Sequence, residues 1–212
     1  MNGKVSVIMA SFLGTYKFCA TNRVIKFHRA IKSFINQTYK NAELIIVSDG
    51  CEKTNSEFLK YNKNSNIKLL ISDKQPTFSG NIRNIGLSVA AGDIICYLDT
   101  DDFLGENHLQ KIADTFKNYH NIDWISFDDY IVYYSNLPHI PKVKRKVLLS
   151  QGSIGTSSVA HRKISEINWL GCNGYNHDWT FIKKIIDSER PHKKMEDGGE
   201  YYVCHIPNSV DS

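Results

Sequence analysis

The apolar residues of this chain alternate between two kinds of spacing. Continuous apolar runs rich in β-branched residues, which are typical of buried strands, occupy Lys4–Ala10, Glu43–Asp49, Ile67–Ser72 and Ile94–Leu98. The segments between these runs carry apolar residues three or four positions apart, which predicts helices. This order predicts an α/β fold in which a mostly parallel central sheet is flanked by helices.

The predicted helices of the first half are marked by their apolar stripes and their ends. The stripe of the first helix consists of Val24, Phe27, Ile31, Phe34 and Ile35. Thr54 and Glu57 form a capping-box pattern, which predicts that a short helix opens at Thr54. A third helix is predicted over Ser79–Ala91, where Gly92 stops it.

The pattern weakens in the second half of the chain. A helix is predicted around Leu109, Ile112, Ala113 and Phe116. Strand character returns over Asp123–Tyr134, and a last helix is predicted over His177–Ile186. The length of 212 residues suits one well-filled domain, so we predict a single domain over residues 1–212.

Composition excludes several classes of protein. Apolar residues make up 42% and charged residues 23%, which is ordinary for a globular domain. No apolar run approaches the roughly 20 residues of a membrane span, and the N-terminal run is too short for a signal-peptide core. The five cysteines are odd in number and form no C-x-x-C pair, so we expect reduced thiols. We therefore predict a cytoplasmic protein with no transmembrane segment.

The net charge of +4 is mild, and the basic residues are scattered apart from the run "PKVKRK", Pro141–Lys146. A solvated loop is the favoured interpretation of this run. The alternative is a contact with an anionic acceptor or with a membrane face. Neither the charge nor its distribution predicts a nucleic-acid partner.

The stretch "DIICYLDTDD" ends a buried strand on three carboxylates, Asp99, Asp101 and Asp102. Ligands of parallel α/β sheets bind at the carboxyl ends of the strands. Because like charges this close repel one another, the cluster predicts a hard divalent cation, Mg²⁺ or Mn²⁺, held together with substrate phosphates. The alternative is that Asp101 and Asp102 cap the next helix near Gly105.

A resemblance to the inverting family 2 glycosyltransferases of the GT-A type covers about Lys4 to Ser209. It is carried by the ordered series "VSVIMASF", "INQTYKNAELIIVSDG", "NIRNIGLSVAAGDIICYLDTDD" and "NHDWTFIKK". It implies the nucleotide-diphospho-sugar transferase fold, with a nucleotide-binding half at about 1–104 and an acceptor-binding half at about 105–212. It also implies a metal-dependent transfer of a hexose or deoxyhexose from a UDP-sugar donor to a glycan or glycoprotein acceptor.

The resemblance assigns roles to single residues at the donor site. The donor nucleotide would be bound by Ala10, Ser11, Phe12, Asp49, Arg83, Asp99 and Thr100. Phe12 would lie against the uracil face, and Asp49 would accept a hydrogen bond from the uracil edge. The alternatives are core packing for Phe12, a turn residue for Asp49 and an exposed helix residue for Arg83. Ala10 and Ser48 depart from relatives, which often have a hydroxyl and a further acid there.

The resemblance makes Asp101 the direct metal ligand, with Asp102 as a substitute. His205 resembles a late histidine, four residues before Ser209, that can supply a further metal ligand, and a neutral imidazole suits Mn²⁺ better than Mg²⁺. A structural or exposed histidine is the alternative.

Asp178 is the predicted catalytic base. Inversion requires a base that takes the proton of the acceptor hydroxyl on the face opposite the leaving nucleotide. The alternative is a helix N-cap, since "NHDWTF" places Asn176 and Asp178 where caps occur. His177 stands where relatives often have Glu. Trp169 and Trp179 could stack on sugars, although core packing is the commoner role.

Other functions fit less well. A phosphatase-like hydrolase would carry its D-x-D motif near the N-terminus, and a nucleotidyltransferase would need a glycine-rich phosphate loop that "SFLGTYK" matches poorly. An inactive glycan- or nucleotide-binding domain of the same fold is the non-enzymatic alternative. The chain also resembles the capsid glycosyltransferase domains of chloroviruses, which would place it in the host cytoplasm, and it is compatible with one domain of a longer multidomain enzyme.

Overall fold

The structure is a computed structural model that describes residues 3–16, 19, 22–76, 80–132 and 142–204. The described part of the chain forms five α-helices and eleven β-strands. The helices are α1 (Arg23–Ile35), α2 (Glu52–Phe58), α3 (Gly80–Val89), α4 (His108–Asn118) and α5 (His177–Asp187). The strands are β1 (Val5–Ser11), β2 (Ala42–Asp49), β3 (Ile67–Ser72), β4 (Ile94–Tyr97), β5 (Phe103–Leu104), β6 (Trp124–Ser126), β7 (Asp129–Val132), β8 (Lys142–Arg145), β9 (Val159–Arg162), β10 (His192–Lys194) and β11 (Tyr201–Val203).

A seven-stranded sheet forms the centre of the molecule, in the order β10-β6-β9-β4-β1-β2-β3. The strands β4, β1, β2 and β3 are parallel to one another, and β9 runs antiparallel between β4 and β6. The carboxyl ends of the four parallel strands therefore lie along one edge. The predicted α/β architecture with a mostly parallel central sheet is confirmed.

Both faces of the central sheet are covered by apolar side chains, which explains the continuous apolar runs in its strands. On one face, Val7 and Met9 of β1 belong to the same cluster as Phe27 and Ile31 of α1. On the other face, Ile8 belongs to a second cluster that includes residues of α3 and α5. The sheet is thus the middle of three layers.

A smaller four-stranded sheet, in the order β5-β11-β7-β8, adjoins the central sheet. The predicted strand character of Asp123–Tyr134 is confirmed over its described part, which forms two strands, β6 in the central sheet and β7 in the small sheet. The break falls at Phe127 and Asp128, where the Asp128 carboxylate accepts a hydrogen bond from the Val147 backbone at 2.9 Å and pairs with Lys194 at 2.8 Å. The loop favoured for Pro141–Lys146 is wrong, since Lys142–Arg145 forms β8, although residues 142–144 are exposed to solvent as expected.

Two predicted helix ends need correction. Helix α2 begins at Glu52 rather than at Thr54, whose buried hydroxyl lies 3.0 Å from that of Ser11 instead of capping a helix. Helix α3 ends at Val89 because the next backbone amides bind elsewhere: Ala91 donates to Glu43 at 2.8 Å. Glu43 is buried and also pairs with Lys68 at 2.8 Å, so it ties the end of α3 to the amino-terminal edge of the sheet.

Two further expectations concern the whole chain. All five cysteines are free, as predicted. Over the described ranges, no helix has both the length and the apolarity needed to cross a membrane.

Candidate active site

The carboxyl ends of three neighbouring parallel strands bring together the donor-site residues that the sequence singled out. Ser11 ends β1, Asp49 ends β2, and Asp99 follows β4 after one residue. Ser11 is buried, and its hydroxyl is engaged by Thr54, whereas Ala10 and Phe12 are partly exposed. Thr100 is buried in the turn that joins β4 to β5.

Asp49 and Phe12 share a third partner, Lys74, which the sequence analysis missed. The Lys74 ammonium pairs with Asp49 Oδ2 and lies 4.7 Å from the centre of the Phe12 ring. The backbone amide of Gln75 donates to Asp49 Oδ1 at 2.6 Å. The alternative of a plain turn residue does not account for Asp49, because both of its carboxylate oxygens are engaged by the loop after β3. Lys74 follows β3 by two residues, and β3 is adjacent to β2. The order of the strands could therefore have predicted that Lys74 lies near the carboxyl end of β2.

Gly50 makes this arrangement possible. Its φ is +57°, and a Cβ atom there would lie 2.5 Å from the backbone nitrogen of Lys74. Only glycine accepts both the left-handed backbone and so close an approach. The loop after β3 can therefore reach the carboxylate at the end of β2.

The acid loop, Asp99–Asp102, does not cap the following helix. Helix α4 begins at His108, directly after Asn107, several residues beyond the acids. Instead, Asp102 is buried and accepts a hydrogen bond from the Cys204 backbone at 2.8 Å. The Asp99 backbone amide donates to the Tyr201 hydroxyl at 3.0 Å. Hydrogen bonds with residues in and directly after β11 therefore hold the acid loop in place.

Arg83 connects the acid loop to Asp178. Its Nη2 lies 2.6 Å from Asp99 Oδ1, and its Nη1 lies 3.2 Å from Asp178 Oδ1. The Arg83 side chain is only 4% exposed, whereas each carboxylate side chain is 35% exposed. Arg83 is therefore a buried cation between two partly exposed acids, which excludes the exposed-helix alternative for this residue.

An aromatic platform supports the guanidinium of Arg83. The Arg83 Cζ lies 4.9 Å from the centre of the Trp169 ring, and that ring stacks on Phe181 of α5 at 4.0 Å with an interplanar angle of 4°. The Trp169 indole donates to the Tyr97 hydroxyl at 3.0 Å, and that hydroxyl lies 2.8 Å from His161 Nε2. Trp169 is fully buried, so its role is packing beneath Arg83 and not contact with a sugar.

Asp178 lies in the first turn of α5, and the N-cap residue Asn176 makes no side-chain capping bond. Its Oδ1 lies 3.0 Å from His177 Nε2 in addition to its contact with Arg83. Burial acts to raise the pKa of Asp178, but the charge of Arg83 and the hydrogen bond from His177 outweigh it and hold this pKa below its ordinary value. Asp178 is therefore a carboxylate with one oxygen, Oδ1, held by two donors.

His177 faces acceptors with both ring nitrogens. Its Nδ1 lies 3.0 Å from the Gly174 carbonyl oxygen, and its Nε2 faces the carboxylate of Asp178. The imidazole therefore bridges the Gly174 carbonyl and the Asp178 carboxylate, at the position that often holds Glu in relatives.

The acid loop fits a divalent cation by its donor chemistry. Burial raises the pKa of Asp102, and the charges of Asp101 and Asp99 raise it further, which is the repulsion that a bound cation would relieve. Carboxylate oxygens suit Mg²⁺ and Mn²⁺, which usually add substrate phosphates to one or two protein carboxylates. Among the described residues, no three His, Cys, Asp or Glu side chains could hold an ion by themselves. His205 and Ser209 lie outside the described residues.

A comparison with known protein families decides the classification of the chain. The model described as glycosyl transferase family 2 matches residues 19–164, more than half of the chain. The chain belongs to this family.

Several glycosyltransferases and solved structures resemble parts of the chain or most of it. An uncharacterized glycosyltransferase of Haemophilus influenzae is 39% identical over 40% of this chain and 34% of its own. The poly(ribitol-phosphate) β-N-acetylglucosaminyltransferase TarP of Staphylococcus aureus is 38% identical over 51% of this chain and 32% of its own. An uncharacterized glycosyltransferase of Nostoc, alr2836, is 26% identical over 97% of this chain and 66% of its own.

The crystal structure of residues 1–349 of S. aureus TarS matches this family 2 chain with a TM-score of 0.72 and 18% identity, over 95% of this chain and 60% of that one. The same fragment in complex with UDP-GlcNAc gives a TM-score of 0.68. The predicted GT-A type fold is thereby confirmed. This chain spans about a third of the length of the Haemophilus relative and 60% of the TarS fragment. The closer resemblance to chlorovirus capsid domains stays a prediction.

Proposed function

We propose that this chain is the catalytic domain of an inverting glycosyltransferase that moves a hexose or deoxyhexose from a UDP-sugar to a hydroxyl of a glycan or glycoprotein acceptor. One observation carries the proposal: the buried guanidinium of Arg83 joins Asp99, at the nucleotide-binding edge of the sheet, to Asp178 at the start of α5. Membership of family 2 and the solved complex of TarS with UDP-GlcNAc support a nucleotide-sugar donor.

The groups around Phe12 favour uracil as the base. Asp49 is a hydrogen-bond acceptor and Lys74 is a donor, and both lie beside a partly exposed aromatic ring. Uracil offers the complementary pair, an N–H next to a carbonyl, whereas cytosine offers a ring nitrogen acceptor next to an amino donor. The base would take the place of the ammonium over the Phe12 ring, and Lys74 would turn to the carbonyl.

Asp178 is suited to the role of general base because its two oxygens differ. Oδ1 is held by Arg83 and His177, so Oδ2 remains to accept a proton. As the acceptor oxygen bonds to the anomeric carbon, its proton passes to Oδ2, and the bond from that carbon to the diphosphate oxygen breaks with its electron pair on the leaving nucleotide. Mn²⁺ or Mg²⁺, held by Asp101 with Asp102 as a substitute and His205 as a further ligand, would stabilise the diphosphate charge.

The first test is a calorimetric titration of UDP with Mn²⁺ and with EDTA. We expect UDP to bind at least about tenfold more weakly in EDTA than with Mn²⁺, a difference of about 1.4 kcal/mol. We expect the Asp101→Ala variant to lose most of the gain in UDP affinity that Mn²⁺ gives the wild type. CDP should bind more weakly than UDP under both conditions.

Asp187→Ala is the matched control, because it removes the same charge from the exposed far end of α5. Metal-dependent binding in this control and its loss in Asp101→Ala would support the donor site. If UDP fails to bind with either metal or with EDTA, the proposal of a UDP-sugar transferase is refuted.

His177→Gln is expected to move the acid limb of the pH profile of kcat/KM to higher pH. Glutamine can still donate to Asp178, but it carries no charge, so the pKa of Asp178 should rise. His177→Asn is the matched comparison: its shorter amide reaches toward Gly174 and not Asp178, so kcat should fall as well. Initial rates measured from about pH 3 to about pH 8 test this, because the acid limb of a base with a lowered pKa lies at acid pH. Acid limbs that coincide in the wild type and in His177→Gln would show that the imidazole does not tune the base.

A further inference from the structure

The outer face of the small sheet carries a row of three stacked aromatic side chains, which we call the aromatic row. Phe103 of β5, Tyr202 of β11 and Tyr130 of β7 occupy paired positions on adjacent strands. The rings of Phe103 and Tyr202 are 4.6 Å apart at an angle of 12°, and those of Tyr202 and Tyr130 are 5.3 Å apart at 21°. All three are partly exposed, while Tyr201 and Leu104 of the same strands are buried on the opposite face.

Cations flank the aromatic row. The guanidinium of Arg29 lies 5.1 Å from the Phe103 ring. The ammonium of Lys142 lies 5.5 Å from the Tyr130 ring and 5.3 Å from the Tyr202 ring, beside this pair of rings. Lys144 pairs with Tyr130 across β7 and β8, so it shares this face with Lys142. With neighbouring strands about 4.8 Å apart, the four strands give a strip roughly 14 Å long.

The row offers few open ring faces on which a neutral sugar could stack. Both faces of the middle ring, Tyr202, are covered by its neighbours, and the Arg29 guanidinium lies over the Phe103 ring. The groups that remain beside the rings include the tyrosine hydroxyls and the lysine ammonium groups. These groups donate hydrogen bonds and carry positive charge, so they suit an anionic ligand.

The two acids at the β7 end of the strip are engaged by cations. Asp129 is fully buried and pairs with Arg145, and Asp128 pairs with Lys194 at 2.8 Å. The contact between Lys144 and Asp128 is longer, at 4.0 Å. Lys142 and Lys144 are both exposed on β8, so the positive charge of the strip faces solvent.

The strip continues to the acid loop of the candidate active site. Phe103 directly follows Asp102, and Arg29 donates to the Asp101 carbonyl oxygen. A groove of about 590 Å³ between α1 and β5 extends the same surface, and Ile25, Arg29, Lys32 and Phe103 are among its lining residues. A chain lying on the strip would therefore pass beside the loop proposed to hold the donor.

We infer that the strip formed by the aromatic row, Arg29, Lys142 and Lys144 binds an anionic acceptor, a glycan chain that carries phosphate or carboxylate groups. The inference rests on the proposed function, because it assigns the acceptor of the same reaction. The lysines of the basic run at residues 142–146 would then bind the acceptor. Together with Arg29, they are spaced along the sheet so that they could contact successive charges of an extended chain.

Carboxymethyl dextran and uncharged dextran of the same length are the probes, since they differ only in charge. We expect the carboxymethyl form alone to bind in calorimetry at low ionic strength, with an affinity that falls as salt is added. The double variant Lys142→Gln/Lys144→Gln should bind about tenfold more weakly. The matched control, Lys53→Gln/Lys63→Gln, removes two exposed lysines in and after α2 and should bind as the wild type does.

UDP titration of the same variants separates the acceptor from the donor site. UDP binding that persists while carboxymethyl dextran fails to bind the wild type would overturn the acceptor inference and leave the proposed function standing. Equal binding of the two dextrans, or equal losses in the two double variants, would also overturn it. Vesicles of phosphatidylglycerol form the last arm: if they bind through Lys142 and Lys144 and the anionic dextran does not, the strip is a membrane face.

Discussion

Asp178→Asn is expected to lower kcat by about 10²- to 10⁴-fold, the usual contribution of a general base. Asparagine keeps the shape of the side chain and an oxygen that can accept from Arg83 and His177, but it cannot take a proton at Oδ2. UDP affinity should change by less than about threefold, because the contacts proposed for the nucleotide lie at Phe12, Asp49 and the acid loop. Initial rates and UDP titration together measure both quantities.

Asp187→Asn on the same helix is the control for this experiment, since Asp187 is exposed and pairs with Lys183 at the far end of α5. Its rate should match that of the wild type. If Asp178→Asn retains more than about a tenth of the wild-type kcat with normal UDP binding, another group must take the proton. If UDP binding is lost as well, the carboxylate supports the donor site instead of acting only as a base.

Arg83→Met should both abolish turnover and destabilise the fold. Methionine removes the buried cation and leaves Asp99 and Asp178 facing each other without compensation. Breaking a buried ion pair costs about 3–5 kcal/mol. The two carboxylates are about one-third exposed and stay partly hydrated, so we expect a loss of about 1–3 kcal/mol in the free energy of unfolding by urea.

Two further variants identify the cause of that loss. Arg83→Lys keeps the charge but cannot bridge both acids with a planar fork, so it should recover most of the stability and little of the activity. The double variant Arg83→Met/Asp99→Asn removes one of the two repelling charges and should be more stable than Arg83→Met alone. If the added substitution does not restore stability, the cost of Arg83→Met arises from lost packing on Trp169 and not from charge.

The sequence predicted strands β1 to β4 of the central sheet because each of them carries a continuous apolar run, whereas β9 and β10 carry no such run and were not predicted. The apolar runs at Ile67–Ser72 and Ile94–Leu98 agree with β3 and β4 to within one residue. Parallel strands buried on both faces need such runs, and their order fixes which ends share an edge. The positions of Asp49 and Asp99 at one edge could therefore be derived from spacing alone.

The contacts that define the candidate site could not be derived in this way. Arg83 has the local pattern of any helix residue, and its pairing with Asp178 joins positions 95 residues apart. The aromatic row depends on the small sheet, whose strands β5 and β11 are about as far apart in the chain. The interpretation of residues 141–146 as a loop was wrong for the same reason, because a short basic strand forms only where β7 provides a partner.

The amino-acid sequence by itself determined the layered α/β architecture, the functional edge of the sheet and the kinds of side chain that reach it. Only the tertiary structure decided that Lys74 lies over Phe12, that one arginine is shared by two carboxylates, and that Oδ1 of Asp178 is held by His177 and Arg83. The reason is physical: burial and repeat spacing act between near neighbours in the chain, whereas a buried charge is satisfied by whichever partner the fold brings within about 3 Å.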